Sequence, residues 1–394
     1  MITNNKNRAN FITWIVSVFL LLVVITDFNY KLGHFLNLNT YRATLVLKAI
    51  MILTFLGLLI KKMLLEKTII KSFFFLAILL LLNFLANYSL NLTEDAFYKV
   101  TYLQIQFLFG LLVLIFFNQF YKSIKPEPVI YIISVLVVIN FLLIVIGQLF
   151  DLTIFKTYLT RFGFNGCFKN TSIASYFYMF VIILFHSRKR KYAYTLLVVS
   201  IISALFVGSK SLYFFLYLYG IYVAYTNIFK SFQKKKAKTY KAIFIVLATV
   251  LFFVLSLFVF MNNETMSRVY SEYGFITAFF SYRDHLFMSA YEEIIVNWGG
   301  LNYLIGGMGI ISKTVEIDTI DLLLNYGILG FFVYIYVFLK NIFSYMNRNL
   351  LYIFTPIVAS ILLRGNFLYY PSVIYVSILI FVIINKNLTN AIHS

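Results

Sequence analysis

The chain has 394 residues, of which 62% are hydrophobic and 12% charged, and its mean hydropathy is +0.88. An average soluble domain is about a quarter charged, so this composition excludes a soluble enzyme and predicts an all-helical protein embedded in a membrane. The formal net charge of +19 would indicate a nucleic-acid binder if the chain were soluble. In a membrane protein its meaning depends on where the charges lie.

Apolar runs of membrane-spanning length predict about twelve transmembrane helices within a single membrane domain over 1–394. They lie at 11–26, 43–60, 72–88, 100–120, 129–150, 171–186, 192–207, 211–229, 242–261, 320–339, 351–363 and 367–384. The eleventh is short and contains Pro356, so it is either a span or a tilted, broken or re-entrant piece, and the count is eleven or twelve. The first run is not followed by a small-residue cleavage site, which indicates a retained span rather than a signal peptide.

Lys and Arg in the connections predict the orientation of these spans. With the N-terminus inside, the inner connections carry almost the whole positive excess and only two acids, Glu66 and Glu127, whereas the outer connections are nearly neutral. Because cytoplasmic loops accumulate Lys and Arg, we expect both termini to be cytoplasmic. The basic runs at 188–191 and 234–238 then act as topological anchors rather than as nucleic-acid patches. The abundance of Phe, Tyr, Lys and Asn is consistent with an AT-rich bacterial genome, and we therefore expect the protein in a bacterial cytoplasmic membrane.

Two outer connections, 151–170 and 262–319, are longer than the others, and long loops in compact folds commonly carry function. The second contains a stretch at 284–297 that predicts a short amphipathic helix on the outer membrane surface. Its apolar side is formed by Leu286, Ala290, Ile294 and Val296. The glycines at 306–309 do not have the spacing of a phosphate-binding loop and predict a tight turn.

Three carboxylates, Glu316, Asp318 and Asp321, lie at the outer mouth of the tenth span. A role at the helix N-terminus would explain one or two of them. The outer side also supplies cations, any one of which could merely anchor the membrane interface: Arg161, Lys169, Lys210, Arg268, Arg283 and Arg364. Together these groups suit a reaction on a phosphate-bearing lipid, because guanidinium groups hold pyrophosphate and a carboxylate deprotonates a hydroxyl. Neither role needs a metal or a cofactor, and the sequence contains no evident nucleotide-binding loop.

Several short segments carry a family resemblance by their order. They read Arg-Phe-Gly-Phe-Asn at 161–165, Asn-Thr-Ser-Ile-Ala at 170–174, Gly-Ser-Lys-Ser at 208–211, Tyr-Arg at 282–283, Leu-Ile-Gly-Gly-Met-Gly at 304–309 and Glu-Ile-Asp at 316–318, continuing to Gly330. With the span count and the large outer loop, this order resembles the Wzy-type polysaccharide polymerases and the related O-antigen ligases. The resemblance covers about residues 100 to 340.

The resemblance implies a membrane glycosyltransferase of the GT-C type that joins undecaprenyl-diphosphate-linked oligosaccharide repeats outside the cytoplasmic membrane, in capsule, exopolysaccharide or O-antigen biosynthesis. Arg161 and Arg283 match the family's outer-loop arginines that hold the diphosphate. Glu316 stands where the ligases have a His and is the expected base, helped by Asp318. The further substrate-binding candidates are Lys210, Arg268, Asn170, Asp321 and Arg364. The implied partners are the lipid-linked oligosaccharides, membrane lipids, and a chain-length regulator and flippase of the same pathway, without nucleic acid.

Other functions remain open from the sequence. A ligase shares the resemblance, and a lipid-linked oligosaccharide flippase or another transporter also has about twelve spans. Transporters usually place ionisable groups near the bilayer midplane. Away from the ends of the predicted spans the only charged residue is Lys48, which we expect to snorkel outward. A scaffold protein would not need carboxylates concentrated on the outer side.

Overall fold

The computed structural model describes residues 2–38, 41–63, 66–90, 94–158, 162–188, 190–230, 247, 250, 264–307, 314–344 and 351–393. Over these residues the chain is helical and forms no β-sheet, and the one β-bridge joins Lys156 to Phe164. The predicted all-helical class is therefore confirmed.

The first eight helices come before the large outer segment. They are α1 (Ile2–Phe35), α2 (Tyr41–Met63), α3 (Lys67–Ser89), α4 (Glu94–Phe120), α5 (Pro126–Leu149), α6 (Thr171–His186), α7 (Lys191–Val207) and α8 (Lys210–Lys230). Six more follow: α9 (Glu264–Phe280), α10 (Arg283–Glu293), α11 (Gly300–Ile305), α12 (Asp318–Phe343), α13 (Leu351–Arg364) and α14 (Pro371–His393).

Seven of the described helices, α1 to α5, α12 and α14, are long and apolar enough to cross a membrane. This confirms a polytopic membrane protein. The predicted sixth, seventh and eleventh spans correspond to shorter helices, and α13 has 14 residues with Pro356 inside it. At 1.5 Å per residue α13 is about 21 Å long, less than the roughly 30 Å of a hydrocarbon core. The predicted ninth span, 242–261, lies outside the described residues apart from two positions, so the total of twelve stays a prediction.

Helix α6 forms the centre of the bundle. Its residues from Ser172 to Phe185 are all buried, and it packs against α7 and α14. A helix that is apolar on every side must be surrounded, and here protein rather than lipid surrounds it. By contrast, α2 and α3 expose Leu53 and Phe74, as helices at a lipid-facing perimeter do.

The connections that the charge pattern assigns to the inside meet at one end of the bundle. Lys62, at the end of α2, donates to the backbone oxygen and the side chain of Gln119 at 2.9 and 3.0 Å. Lys386 of α14 donates to the backbone oxygens of Lys122 and Ile124 at 3.1 and 2.5 Å. The connections assigned to the outside contact one another as well, as Lys31 does with Asn165 and Lys210 with Ala278, and the end of the bundle where they lie is called the outer end below. The alternation of the predicted spans is therefore consistent with the structure.

The amphipathic stretch in the large outer segment forms α10 and a short 3-10 turn at Ile295–Asn297. We expected its apolar side to lie on the membrane surface. Instead, Ala290 and Ile294 pack in a small apolar cluster with Val100 of α4 and Leu324 of α12. The helix lies on the protein because these neighbouring helices cover Ala290 and Ile294, whereas Val296 stays 64% exposed.

Helix α12 is interrupted at Gly327, whose backbone is not helical (φ 61°, ψ −170°). Gly306, at the end of α11, lies directly against it, so that a Cβ atom on either glycine would meet the other's backbone nitrogen at 2.5 Å. Only glycine permits this close approach. Gly306 and Gly307 both have positive φ, which is typical of glycines in a turn, but 308–313 lie outside the described residues, so the tight turn at 306–309 stays a prediction.

Helix α1 extends nine residues beyond the apolar run that predicted it. Asp27, which we expected in an outer loop, is therefore part of a helix and is only 4% exposed. It lines a cavity of about 10 Å³ together with Lys48 of α2 and Ser372 of α14, which has room for a single water molecule. Lys48 thus lies beside Asp27 instead of extending alone to the membrane surface, because α1 brings a carboxylate to it.

Candidate functional site

An ion pair between Arg283 and Glu316 marks the candidate site at the outer end. Arg283 is the first residue of α10, and its Nη2 lies 3.4 Å from Oε2 of Glu316. The Arg283 side chain is 15% exposed and that of Glu316 is 45% exposed. The carboxylate can therefore be reached by a ligand, while the guanidinium is largely enclosed.

The corner between α9 and α10 holds Arg283 in place. Ser281 and Tyr282 both adopt left-handed backbone conformations, with φ of 55° and 66°, which side-chain-bearing residues adopt only where the surroundings enforce them. The hydroxyl of Thr277 donates to the Asp284 carboxylate across the corner. Lys210 donates to the backbone oxygen of Ala278 at 2.9 Å and to Oγ of Ser281 at 3.1 Å. Lys210, a predicted substrate-binding residue, therefore holds the corner that carries Arg283.

Arg364 brings a second guanidinium to the site from the end of α13. Its Nη1 donates to Oγ of Ser209 and, at 2.6 Å, to Oγ of Ser211, and its Nη2 lies 3.3 Å from Oγ of Ser172. All three partners are neutral hydroxyls, so they orient the guanidinium without cancelling its charge. Helix α6 and the residues at the start of α8 thus hold the Arg364 guanidinium through neutral groups. The positive charge of the guanidinium therefore remains available to an anion.

The Arg364 and Glu316 segments are in backbone contact. Gly365 (φ 63°) and Asn366 (φ 59°) turn the chain out of α13 in left-handed conformations. A Cβ atom at Gly365 would overlap the backbone oxygen of Glu316. The charge of Arg364 interacts with those of Arg283 and Glu316. The three charged groups that the sequence places far apart therefore share one site.

The two buried carboxylates position this site. Asp318 is 7% exposed, and its oxygens accept the backbone N–H groups of Phe367 and Leu368 at 2.9 and 3.2 Å. Asp321 is fully buried and accepts the N–H of Val315 at 2.7 Å. Asp318 thus fastens the turn that follows Arg364, and Asp321 fastens the turn that carries Glu316. This differs from the expected roles of Asp318 beside the base and of Asp321 in substrate binding, because the helix start buries both groups.

The remaining predicted residues lie apart from this cluster or outside the described residues. Arg268 is on the exposed side of α9, with its side chain 73% exposed, and lies 3.8 Å from Glu272. The side chain of Asn170 accepts the N–H of Ile173 at 3.0 Å and caps α6, which explains its place in the sequence without a ligand. Arg161 lies outside the described residues.

The structure adds residues that the sequence interpretation did not select. The serines that hold Arg364 are one group, and the buried Tyr176, which donates to the backbone oxygen of Gly365 at 2.6 Å, is another. Ser209 and Ser211 flank Lys210 in the motif at 208–211, where the sequence interpretation selected only the charged residue. Alternating serines beside a cation were the signal that could have found them.

Tyr370 lies between α13 and α14, near the charges of Glu316 and Arg364. Burial raises the pKa of its hydroxyl to about 12, so the group stays protonated at neutral pH. A protonated phenol is a hydrogen-bond donor. The site therefore offers guanidinium groups, a phenol and one accessible carboxylate, which together can bind an oxyanion and accept a proton from a hydroxyl.

No protein-family model, no curated protein and no solved structure matches the chain. Its own sequence and geometry therefore carry the functional interpretation.

Proposed function

We propose that the protein is a polysaccharide polymerase that joins undecaprenyl-diphosphate-linked oligosaccharide repeats at the outer face of the bacterial cytoplasmic membrane. The observation that carries the proposal is the Arg283–Glu316 pair, with Arg364 in the same site. The nearly neutral outer connections, the apolar helices and the order of sequence landmarks support it.

In this proposal Arg283 and Arg364 bind the diphosphate of the donor. Each guanidinium forms paired hydrogen bonds with phosphate oxygens and balances the negative charge that grows as the diphosphate leaves. Arg364 is prepared for this role because its hydrogen-bond partners among the described residues are neutral hydroxyls. Arg283 exchanges its long contact with Glu316 for the phosphate, which releases the carboxylate for the next step.

Glu316 is the proposed base. It takes the proton of a sugar hydroxyl on the incoming repeat while that oxygen attacks the anomeric carbon of the growing glycan. A new glycosidic C–O bond forms, the C–O bond to the diphosphate breaks, and undecaprenyl diphosphate leaves with the bonding electrons. No redox partner is required, and the lipid-linked donor is already activated.

The test is polysaccharide length in a null strain that carries a variant gene. Arg283→Ala and Glu316→Gln should abolish long polymer and accumulate single lipid-linked repeats outside the cytoplasm, at wild-type protein levels. Arg268→Ala is the matched control, because it removes an exposed arginine of the same outer segment that lies apart from the site. Long polymer in the Arg283 and Glu316 variants would contradict the assignment of these residues to the active site. Long polymer that stays on the lipid carrier in the null strain would indicate that the protein is a ligase.

One observation favours a flippase as the second candidate. Asp27 and Lys48 line the same cavity within α1 and α2, and charged residues inside a membrane domain are typical of transport pathways. A flippase null strain accumulates single repeats inside the cell rather than outside. Asp27→Asn in the complemented strain separates the two: normal long polymer is expected for the polymerase, whereas inner accumulation would support transport.

A further inference from the structure

Three aromatic side chains meet on the outer side of the corner between α9 and α10. The ring centroids of Tyr273 and Tyr282 are 5.4 Å apart, and His285 lies 5.5 Å from Tyr273 and 6.0 Å from Tyr282. Tyr273 is 50% exposed, Tyr282 is 40% exposed, and His285 is exposed as well. The rings therefore form a contiguous surface cluster, which we name the aromatic platform.

The backbone that presents the aromatic platform is unusual on both sides. Gly274, directly after Tyr273, is non-helical with φ 83° and interrupts α9. Tyr282 itself has a left-handed φ of 66°, which is uncommon for an aromatic residue. Strained conformations of this kind cluster at ligand sites. Burial of the Tyr282 ring does not explain the strain, since 40% of this residue is exposed.

We infer that Tyr273, Tyr282 and His285 bind a sugar ring of the lipid-diphosphate-linked donor, the sugar next to the diphosphate. This inference rests on the proposed function and names a glycan subsite for it. A pyranose has an apolar face of C–H groups that packs on an aromatic ring, and hydroxyls at its rim that need polar partners. Tyr and His side chains offer a ring face and a polar tip together. They also lose little conformational entropy on binding, because each has only two side-chain torsions.

The aromatic platform is continuous with the charged site. Tyr282 directly precedes Arg283, and neighbouring Cα atoms are about 3.8 Å apart. The aromatic platform and Arg283 therefore occupy adjacent positions of one backbone corner, and the sugar linked directly to the diphosphate is the part of the donor that we assign to the rings. The phenol hydroxyls of Tyr273 and Tyr282 can exchange hydrogen bonds with sugar hydroxyls. This combination of rings with a few polar groups is typical of small-ligand sites.

The experiment measures two affinities of the purified protein in detergent by calorimetry. The first probe is the repeat-unit glycan released by mild acid from the lipid-linked pool of the null strain, and the second is inorganic pyrophosphate. Tyr273→Ala and Tyr282→Ala should weaken glycan binding about tenfold and leave pyrophosphate binding unchanged. Tyr273→Phe keeps the ring and should stay within about threefold of wild type. Arg283→Ala should show the reverse pattern, with pyrophosphate binding lost.

Tyr291→Ala is the matched control, since Tyr291 is an exposed tyrosine of the same helix α10 outside the aromatic platform. Wild-type glycan affinity in both alanine variants of the platform, or an equal loss in the Tyr291 variant, would overturn the inference. Reduced insertion into phospholipid vesicles without a change in glycan affinity would instead assign the rings to the membrane interface. Intact glycan affinity in these variants alongside polymer loss in Arg283→Ala would reject the aromatic platform and leave the polymerase proposal standing. Wild-type protein that binds neither probe would reject both.

Discussion

Replacing Gly365 by alanine tests whether the backbone contact with Glu316 builds the charged site. Alanine in the left-handed conformation of this position costs about 1–2 kcal/mol. Its Cβ would also overlap the Glu316 backbone oxygen and lie 2.9 Å from Cα of Ile317, so the two segments must separate. Separation strains the hydrogen bonds from Phe367 and Leu368 to the Asp318 carboxylate, and losing one such bond costs about 2 kcal/mol more. We expect the Gly365→Ala variant to lose about 3–4 kcal/mol of unfolding free energy.

Two measurements check this expectation: the midpoint of thermal unfolding in detergent and the affinity for inorganic pyrophosphate. Both should fall in Gly365→Ala. Gly57→Ala is the control, because Gly57 lies inside α2 with open space where the Cβ would be, and alanine there should be neutral or stabilise by up to about 1 kcal/mol. A Gly365→Ala protein with the unfolding midpoint and pyrophosphate affinity of wild type would refute the reasoning that this contact aligns Glu316 with Arg364.

Two further predictions concern the inner end and the outer loop. Arg188→Ala should destabilise the protein by about 1–2 kcal/mol in thermal unfolding, because the nearly buried guanidinium donates to both Glu127 oxygens. Arg190→Ala is the control, because that side chain is exposed and lies 3.8 Å from Glu127, so the unfolding midpoint should stay at the wild-type value. Equal effects of the two substitutions would contradict this prediction. Burial raises the pKa of the Cys167 thiol to about 12, so the folded protein should react with a maleimide at pH 8 far more slowly than the unfolded chain, whose thiol has the lower ordinary pKa and ionises more at that pH. Mass spectrometry of timed samples measures both rates, and equal rates would mean that Cys167 is accessible.

Hydropathy was sufficient to predict much of the membrane domain and not its internal arrangement. The apolar runs predicted the long helices correctly, because length and composition alone decide whether a segment can span a bilayer. The same runs did not distinguish α6, enclosed by protein, from α2 and α3 at the perimeter, because lipid and protein interiors are equally apolar. They also ended α1 before Asp27, since a single carboxylate interrupts an apolar run without ending the helix.

The charged site was predictable in its residue types and not in its pairing. Arg283 and Glu316 were both selected from the sequence, and the structure brings them to 3.4 Å. Arg268 and Arg364 were indistinguishable as single outer arginines, and only the fold places one in solvent and the other against three serines. The Arg283–Glu316 pair joins residues 33 positions apart, and the contacts of Arg364 with the serines join residues more than 150 positions apart, which no local pattern encodes.

The contact between Gly306 and Gly327 lies between the charged site and the part of α12 that spans the bilayer. Membrane helices tilt to match the local bilayer thickness, and a continuous α12 would transmit that tilt to its carboxylate-bearing first turns. Because α12 is interrupted at Gly327, the segment from Asp318 to Tyr326 is fastened to α11 through Gly306 and to the turn after α13 through Asp318. We therefore expect the Glu316 turn to keep its register with the arginines while the rest of α12 changes its tilt, so that the site depends little on membrane thickness.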